Sequence, residues 1–193
     1  MVSKYLKGLV ASLSLLLASV AAHATTDTYG ELLSGSYNPP GSFATLSYTN
    51  VGNIYSFTLT AADLDALFTT GAFIGAIAAD AAFKPTVSNV SGSSPVSVSP
   101  GGGPGGVFDF RFDLTGPKQA RLTANESVSW TATFANPVNL TSSSFALHVQ
   151  GLTSAQGGSA WYTVSAVPEA DTYAMMMAGI GLLGFATRRR RTN

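Results

Sequence analysis

Six segments of the chain alternate between apolar and polar residues with a period of two. Successive side chains of a β-strand point to opposite faces, so this period predicts strands with one buried and one solvated face. Strands of this kind are typical of antiparallel sheets, and we therefore expect antiparallel pairing. The segments are residues 43–48, 54–60, 107–114, 127–134, 145–149 and 160–165.

The clearest alternation is in residues 107–114, where three phenylalanines and a leucine share one face. Asp109, Arg111 and Asp113 share the other face. Segment 127–134 groups its apolar side chains around a tryptophan in the same way. Two such apolar faces can close over each other, which predicts a mainly β protein with an antiparallel, jelly-roll-like β-sandwich body.

Two segments between these strands predict other structure. Thr60 followed by Asp63 has the spacing of a capping box, so we expect a short helix that begins there and ends near Gly71. Residues 73–79 are apolar and rich in alanine, a composition that fits a buried strand as well as a further helix. Both options stay open for this segment.

Residues 88–106 consist mostly of serine, proline and glycine. Such a segment has too few apolar side chains to pack firmly, which predicts a flexible loop. A boundary between two domains is the alternative, but each side is too short to bury a core of its own. We therefore expect one domain over residues 25–166.

The amino-terminal end has the three parts of a secretory signal. Lys4 and Lys7 precede an apolar run, and Ala22 and Ala24 supply the small residues that a signal peptidase accepts. A permanent membrane anchor is the alternative, but the run is shorter than the ~20 residues that span a bilayer. The pattern predicts a helical signal peptide over residues 1–24, with the Sec translocon and signal peptidase as partners.

The carboxy-terminal end predicts a transmembrane helix over residues 173–187. The uncharged stretch 174–187 would rise about 21 Å as a helix, which is shorter than a hydrocarbon core of ~30 Å. Arginines directly after the helix can extend its effective length and hold that end in the cytoplasm. A buried helix of a soluble core is disfavoured, because the segment has no polar face. The arginines are Arg188, Arg189, Arg190 and Arg191.

Val167, Pro168 and Glu169 stand just before this helix, and Ala170 follows them. The order of a Pro-Glu motif, an apolar helix and an arginine cluster over residues 167–193 resembles the PEP-CTERM sorting signal. The resemblance implies that exosortase processes the tail after a transient stay in the inner membrane. It also implies a final place at the cell surface or in the extracellular matrix, in a setting of exopolysaccharide and biofilm.

Composition and charge narrow the function classes. The chain has no cysteine, which excludes disulfides, thiolate metal sites and a cysteine nucleophile. Its formal net charge is +0, but most of its basic residues lie at the two ends, so residues 25–166 are mildly acidic. A body of this charge has no attraction for phosphate backbones, and we expect no nucleic-acid partner.

The sequence gives little sign of catalytic, metal or cofactor chemistry, and we expect none of the three. His148 is the single histidine after signal removal, and it is expected to face solvent or to fill a polar niche in the core. Two carboxylate pairs could bind calcium or support glycoside hydrolysis if the fold brought them together. These pairs are Asp63 with Asp65 and Asp109 with Asp113.

Adjacent Trp161 and Tyr162 must point to opposite faces of a strand, which leaves one aromatic ring available to stack on a sugar. The leading prediction is a non-enzymatic surface or matrix protein. A polysaccharide-binding adhesin is the alternative, and a secreted hydrolase that uses dispersed carboxylates is the third.

Overall fold

The computed structural model describes residues 24–68 and 71–165, together with 177 and 180. In this part of the chain, ten strands form one antiparallel sheet, and a short α-helix, α1, lies at Leu64–Leu67. The strands are β1 Ala24–Ser34, β2 Ala44–Val51, β3 Ile54–Ala61, β4 Phe73–Ala79, β5 Thr86–Gly92, β6 Ser97–Gly102, β7 Phe108–Asp113, β8 Ser127–Thr133, β9 Phe145–Gln150 and β10 Ser159–Val164. Single 3₁₀ turns lie at Pro104–Gly106, Lys118–Ala120, Ser142–Ser144 and Ser154–Gln156.

The strand order is β5-β8-β3-β2-β1-β10-β9-β4-β7-β6. The prediction of a mainly β, antiparallel protein is confirmed. The expected jelly-roll-like sandwich implies two separate sheets, whereas the described strands are hydrogen-bonded in one continuous sheet. Strand β1 explains the difference, because its first half pairs with β2 and its second half pairs with β10 across two bulges. A bulged strand bends and twists more strongly, so the sheet turns at β1.

Aromatic rings from the two halves of the sheet meet in one core. Phe57 on β3 stacks on Trp130 of β8, with ring centroids 5.1 Å apart. The Phe57 ring also contacts Phe112 of β7 and Phe145 of β9, with ring centroids 5.5 Å and 5.8 Å apart. Because β7 and β9 belong to the other half of the sheet, these contacts join the two halves. Each such aromatic pair stabilises the fold by about 0.5–1.5 kcal/mol beyond its buried area.

All six segments that alternate in sequence form strands, namely β2, β3, β7, β8, β9 and β10. Strand β3 shows the relation most simply, since its residues alternate strictly between exposed and buried. The open question about residues 73–79 is resolved as a strand, β4, in which every residue is buried. Small alanine side chains suit this strand, because neighbouring side chains cover its outer face.

Two local predictions are wrong. Residues 88–106 were expected to be a loop, but they contain most of β5 and all of β6, the two edge strands of the sheet. An edge strand needs few apolar side chains, since its partner strand supplies the hydrogen bonds. The short helix begins later than expected: its N-cap is Asp63, whose side chain accepts a hydrogen bond from the Ala66 N–H, while Thr60 still belongs to β3.

The two ends of the described body lie side by side. Strand β1 starts at Ala24, and β10 runs antiparallel to it and ends at Val164. The N–H of Ser165 donates to the carbonyl of Thr28 at 2.7 Å. Both ends of the described body therefore lie at the same end of the sheet.

The predicted signal peptide lies outside the described residues except for Ala24, and so does nearly all of the predicted helix at 173–187. Within the described part of the chain, no helix combines the length and the apolar character that a bilayer crossing needs.

Candidate functional site

A groove of about 410 Å³ lies on the outer face of the sheet, across β10, β9, β4, β7 and β6. This volume falls in the range of small-molecule pockets. Its principal side chains are polar or aromatic and come from strands far apart in sequence. They are Arg111, Asp113, His148, Gln150 and Trp161, and Gly75 and Ala76 form the floor between them.

The floor of the groove depends on a glycine at a bulge. The register between β4 and β9 shifts between Ile74 and Ala76, so Gly75 is the extra residue of β4. A Cβ on Gly75 would lie 2.7 Å from the side-chain amide carbon of Gln150. Because glycine has no Cβ, the Gln150 amide can lie directly over Gly75. The Gln150 amide thus occupies the space above β4 that a side chain of residue 75 would otherwise fill.

The wall formed by β7 carries an ion pair. The Arg111 Nε donates to Asp113 Oδ1 at 2.5 Å, and the Ser99 hydroxyl of β6 donates to Asp113 Oδ2. The Asp113 side chain is 16% exposed and the Arg111 side chain 39% exposed. Two donors therefore fix the carboxylate, while the Arg111 side chain stays partly open to solvent.

The opposite wall is a stacked aromatic pair. His148 and Trp161 are direct partners in the register of β9 and β10, and their rings lie 4.3 Å apart at an interplanar angle of 4°. Burial, and secondly the positive charge of Arg111, lower the pKa of His148 to about 4. The imidazole is consequently neutral at physiological pH.

The sequence prediction that Trp161 and Tyr162 face opposite ways is confirmed. Trp161 lies on the outer face in the groove, whereas Tyr162 is fully buried and its hydroxyl donates to the Tyr37 carbonyl at 2.7 Å. His148 was expected to face solvent or to fill a polar niche in the core, and it lies partly buried in this groove on the outer face instead. The parts played by Arg111, Gln150 and Gly75 were missed, because they depend on the β4 bulge and on strand pairing.

The predicted carboxylate pairs do not form joint sites. Asp109 and Asp113 share a face of β7, but four residues of strand separate them by about 13 Å. Asp109 instead lies beside Asp80, and a hydrogen bond between their carboxyl groups raises the pKa of Asp80. Asp63 caps α1, and Asp65 accepts from the Gly71 N–H at 2.9 Å. Among the described residues, no three metal-ligating side chains come together.

A second polar feature lies inside the core. The Asp27 carboxyl is 5% exposed, and Ser142 donates to its Oδ1 at 2.6 Å. Its Oδ2 and the nearby Tyr29 hydroxyl are buried and have no hydrogen-bond partner among the described residues. Burial raises the pKa of Asp27, and the hydrogen bond from Ser142 opposes that rise. This carboxylate therefore costs stability when it is charged.

The expected sorting residues Val167, Pro168 and Glu169, the arginines at 188–191 and the cleavage residue Ala22 lie outside the described residues. Comparison with protein families fills this gap in part: the family model of the PEP-CTERM protein-sorting motif matches residues 166–191. The resemblance seen in the sequence is confirmed. No curated protein and no solved structure matches the chain. The motif marks an exported protein that exosortase sorts at the membrane.

Proposed function

We propose that this chain is a non-enzymatic surface or extracellular-matrix protein that acts in an exopolysaccharide or biofilm setting. The observation that carries the proposal is the match of residues 166–191 to the PEP-CTERM protein-sorting motif. Exosortase processes the tail in the inner membrane, and the β body is then released to the cell surface or the matrix. Sec export and signal peptidase cleavage after Ala24 precede these steps.

The position of the chain ends supports this route. Strand β1 begins at Ala24, directly at the proposed cleavage site, and β10 ends at Val164, just before the matched motif. The folded body thus fills the segment between the two proposed cuts. Processing at either end leaves all ten strands in place.

The chemistry of the outer groove supports a role in binding over a role in catalysis. Its carboxylate, Asp113, accepts hydrogen bonds on both oxygens from Arg111 and Ser99. Glycoside hydrolysis uses two carboxyl groups about 5–9.5 Å apart, and Asp109 on the same strand is more distant than that. His148 has a pKa of about 4 and is a weak base at neutral pH.

The test is mass spectrometry of the secreted and membrane fractions from the native host, with and without its exosortase. We expect a mature amino terminus at Thr25 and, only where exosortase is present, a surface form that lacks Arg188 to Arg191. A host strain that carries Pro168→Ala and Glu169→Ala should retain the intact tail. An intact Arg191 in the mature surface form of the unaltered protein would contradict the proposal.

A polysaccharide-binding adhesin is the second candidate function. The observation that favours it is the outward Trp161, whose ring stacks on His148 at the edge of a groove. Hydrolysis of the host's own polysaccharide by the purified protein, with loss of the activity in Asp109→Asn, would instead favour a secreted hydrolase.

A further inference from the structure

The outer groove has the width of one sugar ring. Strands β9 and β7 both neighbour β4, so the two walls stand two strand spacings apart, or about 9–10 Å. Between them the floor carries the small residues Gly75 and Ala76, and the Gln150 amide lies over Gly75. A pyranose ring is about half as thick as this gap, which leaves van der Waals contact distances on both sides.

The aromatic wall offers a flat, uncharged surface to such a ring. The nearly parallel stack on Trp161 fixes the plane of the His148 imidazole, and the register places His148 directly opposite Ala76 of the floor. Rigid aromatic surfaces contribute contact area at a low cost in side-chain entropy. The pair therefore forms a preorganised platform on the side of the groove that faces β4.

The opposite wall offers planar polar groups. Asp113 is held by Arg111 Nε and by Ser99, so its remaining lone pairs have a fixed direction. The only Arg111 donor that forms a hydrogen bond among the described residues is Nε, so the two outer nitrogens keep four N–H donors. A carboxylate beside a guanidinium presents acceptors and donors in one plane, which matches two neighbouring hydroxyls. The Gln150 amide adds a donor and an acceptor on the floor.

The charges of the groove favour a neutral ligand. Arg111 is compensated by Asp113, and the body carries more acidic than basic residues, so an anionic polymer would be repelled. A free phosphate or carboxylate would find no uncompensated cation there. Neighbouring hydroxyls, in contrast, can use both members of the ion pair without separating charge.

We propose that the outer groove binds one neutral pyranose unit of a glycan, with the ring against the His148–Trp161 stack and two neighbouring hydroxyls on Asp113 and Arg111. This assignment rests on the second candidate function, the adhesin, and specifies its site and its ligand class.

The experiment is affinity electrophoresis of the full chain in a zwitterionic detergent without a sugar headgroup. The gels contain neutral polysaccharides (dextran, mannan, galactan) or anionic ones (alginate, polygalacturonate). We expect retardation in at least one neutral gel and none in the anionic gels. Trp161→Ala and Asp113→Asn should each weaken the retardation about tenfold or more.

Matched controls separate binding from general damage. Phe83→Ala removes an aromatic side chain that is 43% exposed outside the groove, and Asp109→Asn removes a carboxylate from the same face of β7. Both should bind like the unaltered protein. Tryptophan emission from the buried Trp130 reports whether each variant is folded.

Three outcomes would overturn the assignment: no retardation in any neutral gel, binding to the anionic polymers alone, or unchanged binding in folded Asp113→Asn and Trp161→Ala. The assay does not involve exosortase, so its failure leaves the tail-processing proposal intact. Conversely, a tail that is never cleaved would leave the binding result unaffected.

Discussion

The most direct test of the groove geometry is the titration of His148. We expect its imidazole to remain neutral until the pH falls to about 4, well below the ordinary value of 6.5. Burial disfavours the imidazolium, and the nearby Arg111 guanidinium repels it. Protonation of His148 is therefore an unfavourable event in the folded protein.

The difference between 6.5 and about 4 determines the size of the effect on stability. At about 1.4 kcal/mol per pH unit it would amount to about 3 kcal/mol. Because the ring is partly exposed, solvent screening reduces this to about 1–2 kcal/mol. The folded pKa is the lower one, so the unfolded chain binds the proton first. The stability is fully present above about pH 6.5 and is lost as the pH falls toward 4.

The assay is an NMR titration of the imidazole Cε1–H signal. The sequence contains two histidines, His23 and His148, and His23 belongs to the predicted signal peptide. In the processed protein the signal is thus unambiguous. Urea unfolding at pH 7 and pH 4.5, with His148→Gln as the control, measures the stability. The variant should lose less stability on acidification than the unaltered protein.

A titration midpoint near 6.5 would show that burial and Arg111 do not control the protonation of His148. Stacking on Trp161 favours an imidazolium through the cation–π interaction, which opposes the effects of burial and Arg111. A midpoint near the ordinary value would show that stacking dominates and that the ring is better solvated than the geometry indicates. Equal acid sensitivity of the unaltered protein and His148→Gln would lead to the same conclusion.

Three further predictions concern the fold. Phe112→Ala should lower the free energy of unfolding by about 3–5 kcal/mol in urea titrations, since Phe112 joins the two halves of the sheet, whereas Val107→Ala, at a side chain 74% exposed, should change it little. Asp27→Asn should raise the melting temperature at pH 7, because the raised pKa of Asp27 means that its charged form destabilises the fold. The gain should disappear below about pH 4, where the carboxyl becomes protonated in the folded and the unfolded state. A loss of stability at pH 7 would contradict this prediction. Gly92→Ala should lower the free energy of unfolding by about 1–3 kcal/mol, because Gly92 has a φ of +110° and an added Cβ would lie 2.8 Å from the Val128 Cα. The control is Gly52→Ala, at a φ of +63° with open space around it, which should cost about 1 kcal/mol. Equal losses at the two sites would rule out the steric explanation.

Strands with one buried face could be predicted from sequence, and strands without that contrast could not. The alternation in β3 and β7 is visible because their outer residues are polar and their inner residues are large. Strand β1 was missed because its buried positions include Asp27 and because two bulges break its period. Strand β6 was missed because an edge strand of serine and glycine carries no apolar pattern.

The candidate site was predictable only in part, for a related reason. Period two placed Arg111 on the polar face of its strand and set Trp161 and Tyr162 on opposite faces, and the structure agrees. That these faces meet depends on the pairing of β9 with both β10 and β4, which joins residues distant in sequence. The bulge at Gly75, which lets Gln150 lie across the floor, left no periodic signal at all.

The division of β1 between two neighbours has a consequence for the timing of folding during export. The amino terminus of an exported chain crosses the membrane first, so β1 arrives outside while β10 is still to come. Strands β1 and β10 pair although they stand at opposite ends of the body's sequence. The sheet therefore cannot be completed until the last strand has crossed the membrane. Long-range pairing of this kind is also slow to form. The topology thus postpones completion of the sheet until the whole body has been translocated.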